Sequence, residues 1–167
     1  MKRAVWVVVF GLMAGGAFAS PKEPEIKLRD VKLDGVMVNN SSVSLTATFD
    51  VKKEDLFGEM YIDFYILLEP REDEQGPQIF HCRTTHRFIK ADPGYTSSAI
   101  LDPAIVKCIN PRHSEYAVVV TYQGKEVAVE NSEDQRWWED QSLGKHIENV
   151  LTRAASAPMV RDWEAIN

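Results

Sequence analysis

The pattern of apolar and polar residues between positions 60 and 68 predicts the central strand of a sheet. Ile62, Phe64, Ile66 and Leu68 would share one wholly apolar face, because successive side chains of a strand point to opposite sides. The other face mixes Asp63 with tyrosine and leucine. One face therefore belongs to a buried core, and the other is partly exposed to water.

Six further segments alternate in the same way or are rich in β-branched and aromatic residues, and turn residues separate them. The first segment changes register near Arg29 and Asp30, which predicts a β-bulge there. No helix is expected before residue 131. The sequence predicts a mainly β fold, an immunoglobulin- or fibronectin-like antiparallel β-sandwich of about seven strands, with a C-terminal helix and an extended tail. The strands are expected at residues 25–34, 43–51, 60–68, 78–89, 95–101, 116–122 and 125–130.

The last two of these strands form a predicted hairpin around Gln123 and Gly124. A two-residue loop sets Val120 opposite Val127 and Val118 opposite Val129. The apolar residues of both strands are then expected on one face.

The segment that follows has the signals of a helix. Ser132 is a candidate N-cap, and Gln135 three residues later completes a capping box. Trp137 and Trp138 do not fit the apolar stripe further on, which predicts a bend between two helical pieces. Residues 20–131 are therefore expected to form the sandwich, and residues 132–167 a helical segment and tail packed on it. The stripe consists of Leu143, Ile147, Val150, Leu151 and Ala154.

The amino terminus has the features of a secretory signal peptide over residues 1–19. Two basic residues precede an apolar run, and Ala17 and Ala19 form a small-residue cleavage site before Ser20. The mature chain is expected to be periplasmic or secreted, with no transmembrane anchor after cleavage. The full chain has a net charge of −6, and cleavage removes Lys2 and Arg3, so the mature chain is more acidic. An acidic domain repels phosphate backbones, which argues against nucleic acid as a partner.

The chain has two cysteines, Cys82 and Cys108. Export places them where a disulfide can persist, so an intramolecular disulfide is predicted; two free thiols are the alternative.

Four groups of residues could carry chemistry. Trp137 and Trp138 could form a stacking platform for sugar rings, or could fill an apolar gap. His81 and His86 have opposite parity on one strand, which argues against a shared metal ion. The remaining two histidines, His113 and His146, have no acid or nucleophile at an informative spacing, and Ser142 with Lys145 lacks the companion motifs of S-x-x-K enzymes. No catalytic residue, metal site or cofactor is predicted.

The tail is unusually apolar, with Met159, Val160, Trp163 and Ile166, and it is expected to contact its own domain or another subunit. The signal peptide, the acidic sandwich and the ending Arg153-x-x-Ser156-x-Pro158-Met159 with Asp162-Trp163-Glu164 resemble secreted, type IV pilus-associated proteins of Akkermansia-type bacteria. This resemblance implies assembly in the envelope or with a pilus, and it implies no catalytic residue. No pilin-type processing site precedes the apolar run.

The leading functional hypothesis is a non-enzymatic exported domain that acts by protein–protein contact in the cell envelope, with a possible homo-oligomer through the tail. The alternative is a glycan-binding module that uses Trp137 and Trp138.

Overall fold

The structure is a computed structural model that describes residues 24–35, 42–71, 76–143, 146–148 and 150–153. The predicted signal peptide and the tail residues Met159, Val160, Trp163 and Ile166 lie outside the described residues. None of the described helices is long and apolar enough to cross a membrane.

The described residues form two packed sheets, which confirms the predicted β-sandwich. One sheet has the strand order β1-β2-β5-β9, and the other has the order β7-β6-β3-β4-β8. All pairings are antiparallel except that of β4 with β8. The first seven strands are the seven predicted ones, and β8 and β9 are short additions. The strands are β1 (Glu25–Asp34), β2 (Val43–Lys52), β3 (Leu56–Pro70), β4 (Gln78–Ile89), β5 (Tyr95–Leu101), β6 (Pro111–Tyr122), β7 (Lys125–Asn131), β8 (Ile147–Glu148) and β9 (Leu151–Arg153).

Strand β3 lies at the centre of the five-stranded sheet, as predicted from its pattern. Its inward side chains Ile62, Phe64, Ile66 and Leu68 are fully buried. They pack between the two sheets with side chains from the four-stranded sheet, among them Phe49. The predicted apolar face is therefore the centre of the hydrophobic core.

The predicted bulge in β1 is also present. The register with β2 shifts between Leu28 and Asp30, so Arg29 is the extra residue. Its Nε donates a hydrogen bond of 2.6 Å to Asp50, whose side chain is completely buried. The bulge thus provides the cation that a buried carboxylate requires.

The β6–β7 hairpin differs from the prediction beyond its first two residue pairs. Tyr122 pairs with Lys125 as expected, but Val120 pairs with Ala128, because the register shifts by one residue. Val127 is the extra residue and is exposed. A one-residue shift moves side chains to the other face. The apolar side chains of this hairpin therefore lie on both faces of the sheet and not on one.

A short helix, α1 (Pro103–Ile109), connects β5 to β6, although no helix was predicted in this region. The Asp102 side chain accepts a hydrogen bond of 2.7 Å from the Ala104 backbone N–H, and Pro103 occupies the first turn. Asn110 ends the helix in the left-handed conformation. This helix of about two turns buries only Val106 and Ile109, so its periodic signal was too short to detect.

The predicted disulfide between Cys82 and Cys108 is not present in the structure. Cys82 lies on β4 and packs against the core, whereas Cys108 is exposed on α1. The thiol of Cys82 is partly buried and that of Cys108 is exposed, so the two side chains lie in different environments.

The predicted C-terminal helix is wrong for the described residues. Two 3-10 turns, Trp137–Glu139 and Gln141–Leu143, are followed by strands β8 and β9. Ser132 does not cap a helix; its Oγ accepts a hydrogen bond of 3.0 Å from the Tyr116 backbone N–H. Of the predicted stripe, Ile147 and Leu151 contact the sandwich from strands β8 and β9, because the edges of both sheets supply hydrogen-bond partners for an extended chain. Ala154 lies outside the described residues.

Candidate functional site

The outer face of the five-stranded sheet has an apolar half that the segment after β7 covers. Trp137 and Trp138 lie on this face, and their rings meet edge to face at 5.7 Å. They are 7% and 4% exposed, respectively. The same cluster includes Leu67, Ile79, Ala117, Val119, Tyr65, Val129 and Leu143.

Burial of both indoles decides between the two interpretations of the tryptophan pair. A sugar platform needs an accessible ring face, and neither ring offers one in this conformation. Trp138 lies 6.2 Å from the Tyr65 ring, and the Arg136 guanidinium lies 5.8 Å from the Trp138 ring centre. The pair therefore fills an apolar gap on the sheet.

A charged network lies beside the tryptophans, on the outward side of β3 and β4. Asp63 is buried and accepts hydrogen bonds from Arg83 through both carboxylate oxygens, at 2.7 and 2.9 Å. His81 Nε2 lies 2.8 Å from Asp63, and its Nδ1 lies 2.8 Å from Glu148 on β8. His81 therefore joins the short edge strand β8 to the centre of the sheet.

The pKa values in this network follow from burial and hydrogen bonding. Burial alone would lower the pKa of His81, but its hydrogen bonds with Asp63 and Glu148 outweigh burial and raise that pKa. Burial alone would raise the pKa of Asp63, but hydrogen bonds from His81 and Arg83 hold it below the ordinary value. With both ring nitrogens facing carboxylates, the charged imidazolium is the favoured form of His81.

Tyr65 connects the network to the tryptophan cluster. Its ring stacks on His81 with 4.6 Å between centres, and His146 approaches it edge-on at 5.5 Å. Burial, followed by the negative charge of Asp63, raises the pKa of Tyr65 to about 12. Its hydroxyl is therefore neutral at physiological pH and is not prepared to act as a base.

The other half of the outer face is exposed and combines aromatic rings with arginines. Phe57 and Phe88 pair across β3 and β4 with ring centres 5.4 Å apart, yet they are 67% and 45% exposed. Next to them, the Arg83 guanidinium lies 5.1 Å from the Tyr61 ring centre, and Arg87 lies 3.4 Å from Glu59. We call Phe57, Phe88, Tyr61, Arg83 and Arg87 the aromatic–arginine stripe.

The structure places the other histidines as follows. His81 and His86 lie on opposite faces, as predicted, and His86 is buried in the core near Phe49. His146 is not isolated, because its ring lies 6.0 Å from that of His81. His113 is not isolated either, since its Nε2 lies 3.2 Å from Glu115.

Sequence reasoning missed the network of Asp63, His81 and Glu148. The outward positions of Asp63 and His81 were visible in the period of two. Their proximity depends on the β3–β4 register, and the approach of Glu148 depends on β8, which was predicted as helix.

Comparison with solved structures finds a likeness to a crystal structure of a protein from Akkermansia muciniphila. The TM-score is 0.59 at 19% identity, over 81% of this chain and 82% of that chain. At this identity the likeness shows the fold alone, although the organism agrees with the resemblance drawn from the sequence. No protein-family model matches the chain, and no curated protein matches it.

Proposed function

We propose that this protein is an exported, non-enzymatic domain of the cell envelope that acts by binding another protein through the aromatic–arginine stripe. The observation that carries the proposal is the exposed pair Phe57 and Phe88. Large apolar side chains that form a contiguous exposed patch mark contact sites, and aromatic residues with arginine are enriched at the energetic centres of interfaces.

The neighbouring charges suit such a contact. Arg83 is held in place by its two hydrogen bonds to Asp63, so little side-chain entropy remains to be lost on binding.

Export itself rests on the signal peptide at residues 1–19, which N-terminal sequencing of the mature protein tests. The specific form of the proposal is pilus-associated assembly, which rests on the resemblance of the terminal motif. The apolar tail, with Met159, Val160, Trp163 and Ile166, would provide a second contact, to a partner or to another copy of this chain.

The proposal is tested by placing a photo-crosslinking amino acid at Phe88 in the native envelope. We expect a discrete crosslinked product, and we expect Phe57→Asp to abolish it. Val127→Asp is the matched control, because Val127 is also an exposed apolar residue but lies on β7, away from the stripe. Crosslinking that survives Phe57→Asp, or that Val127→Asp removes equally, would contradict the assignment of the stripe.

The glycan-binding alternative has no structural observation in its favour, since both indoles are buried. Saccharide binding that Trp138→Phe abolishes would restore it.

A further inference from the structure

Three potential metal ligands meet at the start of β6, on the outer face of the five-stranded sheet but not among the residues of the tryptophan cluster. One ligand atom from each of His113, Glu115 and Glu133 lies within 4.8 Å of the other two. We propose that these residues bind one late first-row divalent cation of the Zn²⁺ class.

The backbone brings the three side chains together from two segments. His113 and Glu115 are two residues apart on β6 and therefore share a face. Glu133 follows Ser132, whose backbone N–H donates to the Tyr116 carbonyl at 3.0 Å and whose Oγ accepts from the Tyr116 N–H at 3.0 Å. These two bonds hold Glu133 beside β6 before any ion binds, so less ordering is needed on binding.

The distances suit tetrahedral coordination. With Zn–N and Zn–O bonds of about 2.0 to 2.1 Å, two ligand atoms of a tetrahedral site lie roughly 3.3 Å apart. His113 Nε2 and Glu115 Oε1 are 3.2 Å apart. The Glu133 side chain is exposed, so rotation about its own bonds can bring its carboxylate to the same spacing.

The local charge favours a cation. The Glu115 side chain is only 18% exposed, and within the described ranges neither Glu115 nor Glu133 forms an ion pair with a lysine or arginine. Two carboxylates at this separation repel each other. A divalent ion would remove the repulsion and satisfy all three groups.

The ligand types select among cations. Imidazole suits Zn²⁺, Cu²⁺ and Ni²⁺, whereas Ca²⁺ and Mg²⁺ prefer sites made entirely of oxygen. Three protein ligands leave one position for water. The bound ion would link β6 to the segment that leads to Trp137, so binding is expected to stabilise the cover of the outer face.

The test is calorimetric titration of Zn²⁺ into chelator-treated protein carrying Cys108→Ser, which removes an exposed competing thiol. We expect one equivalent to bind and the melting temperature to rise, while Ca²⁺ at the same concentration has no such effect. His113→Ala and Glu133→Gln should each weaken Zn²⁺ binding about tenfold or more. Even the mutation of a residue that only hydrogen-bonds to a metal ligand reduces metal affinity by this much.

Glu130→Gln is the matched control, because it removes the same charge three residues away, outside the cluster. It should leave Zn²⁺ binding unchanged. Absence of Zn²⁺ binding by the folded protein would overturn the proposal, and so would an isotherm that His113→Ala and Glu133→Gln leave intact.

Discussion

The substitution Trp138→Ala tests whether the tryptophan cluster holds the segment after β7 on the sheet. Trp138 is 4% exposed and contacts Tyr65 and Trp137. A tryptophan buries about 150 to 250 Å², which at ~25 cal/mol per Å² corresponds to roughly 4 to 6 kcal/mol as an upper bound. Alanine retains part of this burial but leaves a cavity, so we expect a loss of about 3 to 5 kcal/mol.

The assay is thermal unfolding followed by circular dichroism, with urea unfolding as a second measure. For a domain of this size, such a loss lowers the melting temperature by roughly 6 to 20 °C. Trp137→Phe is the control: the Trp137 indole N–H is buried without a hydrogen-bond partner among the described residues, so phenylalanine removes an unsatisfied donor and keeps most of the ring. We expect a much smaller loss for this variant. A Trp138→Ala protein that melts within about 2 °C of the parent would refute the structural role of the cluster.

Three further predictions follow from the other features. The raised pKa of His81 means that its stabilising effect is complete below its ordinary pKa of 6.5 and is lost as pH rises through the raised value. The melting temperature of the parent protein should therefore fall as pH rises through the raised pKa of His81, and His81→Gln should not show this fall. The same dependence of melting temperature on pH in parent and variant would contradict the network. Cys108 is exposed and Cys82 is partly buried, so Cys108 should react with a maleimide faster than Cys82 in the folded protein; a non-reduced mass two protons lower would instead show a disulfide. Asp50→Asn should lower the melting temperature by several degrees, because it leaves Arg29 without its buried partner, whereas the exposed Asp30→Asn should have little effect; equal losses would argue against the role of the bulge.

Local patterns were sufficient to predict most of the sandwich. The seven main strands were visible because burial against one face imposes a period of two on each of them. The bulge at Arg29 was visible for the same reason, since an extra residue reverses the parity of the apolar positions. The bulge at Val127 was not visible, because Val127 and Val129 have the same parity and no change of parity among the apolar residues of β7 marks the shift.

The C-terminal segment shows where local patterns fail. Its capping residues and helical spacing are real features of the sequence, but strands β4 and β5 offer edges to which an extended chain can bond. That tertiary contact outweighs helix propensity, which amounts to a few tenths of a kcal/mol per residue.

By itself, the sequence determined the sandwich and most residues of its core, because these depend on which side chains avoid water. Only the tertiary structure decided that Trp137 and Trp138 are buried, that Cys82 and Cys108 point to different environments, and that His81 lies between Asp63 and Glu148. These are contacts between residues far apart in the chain. Their formation depends on strand register and on the path of the last segment, and no local pattern encodes either of these.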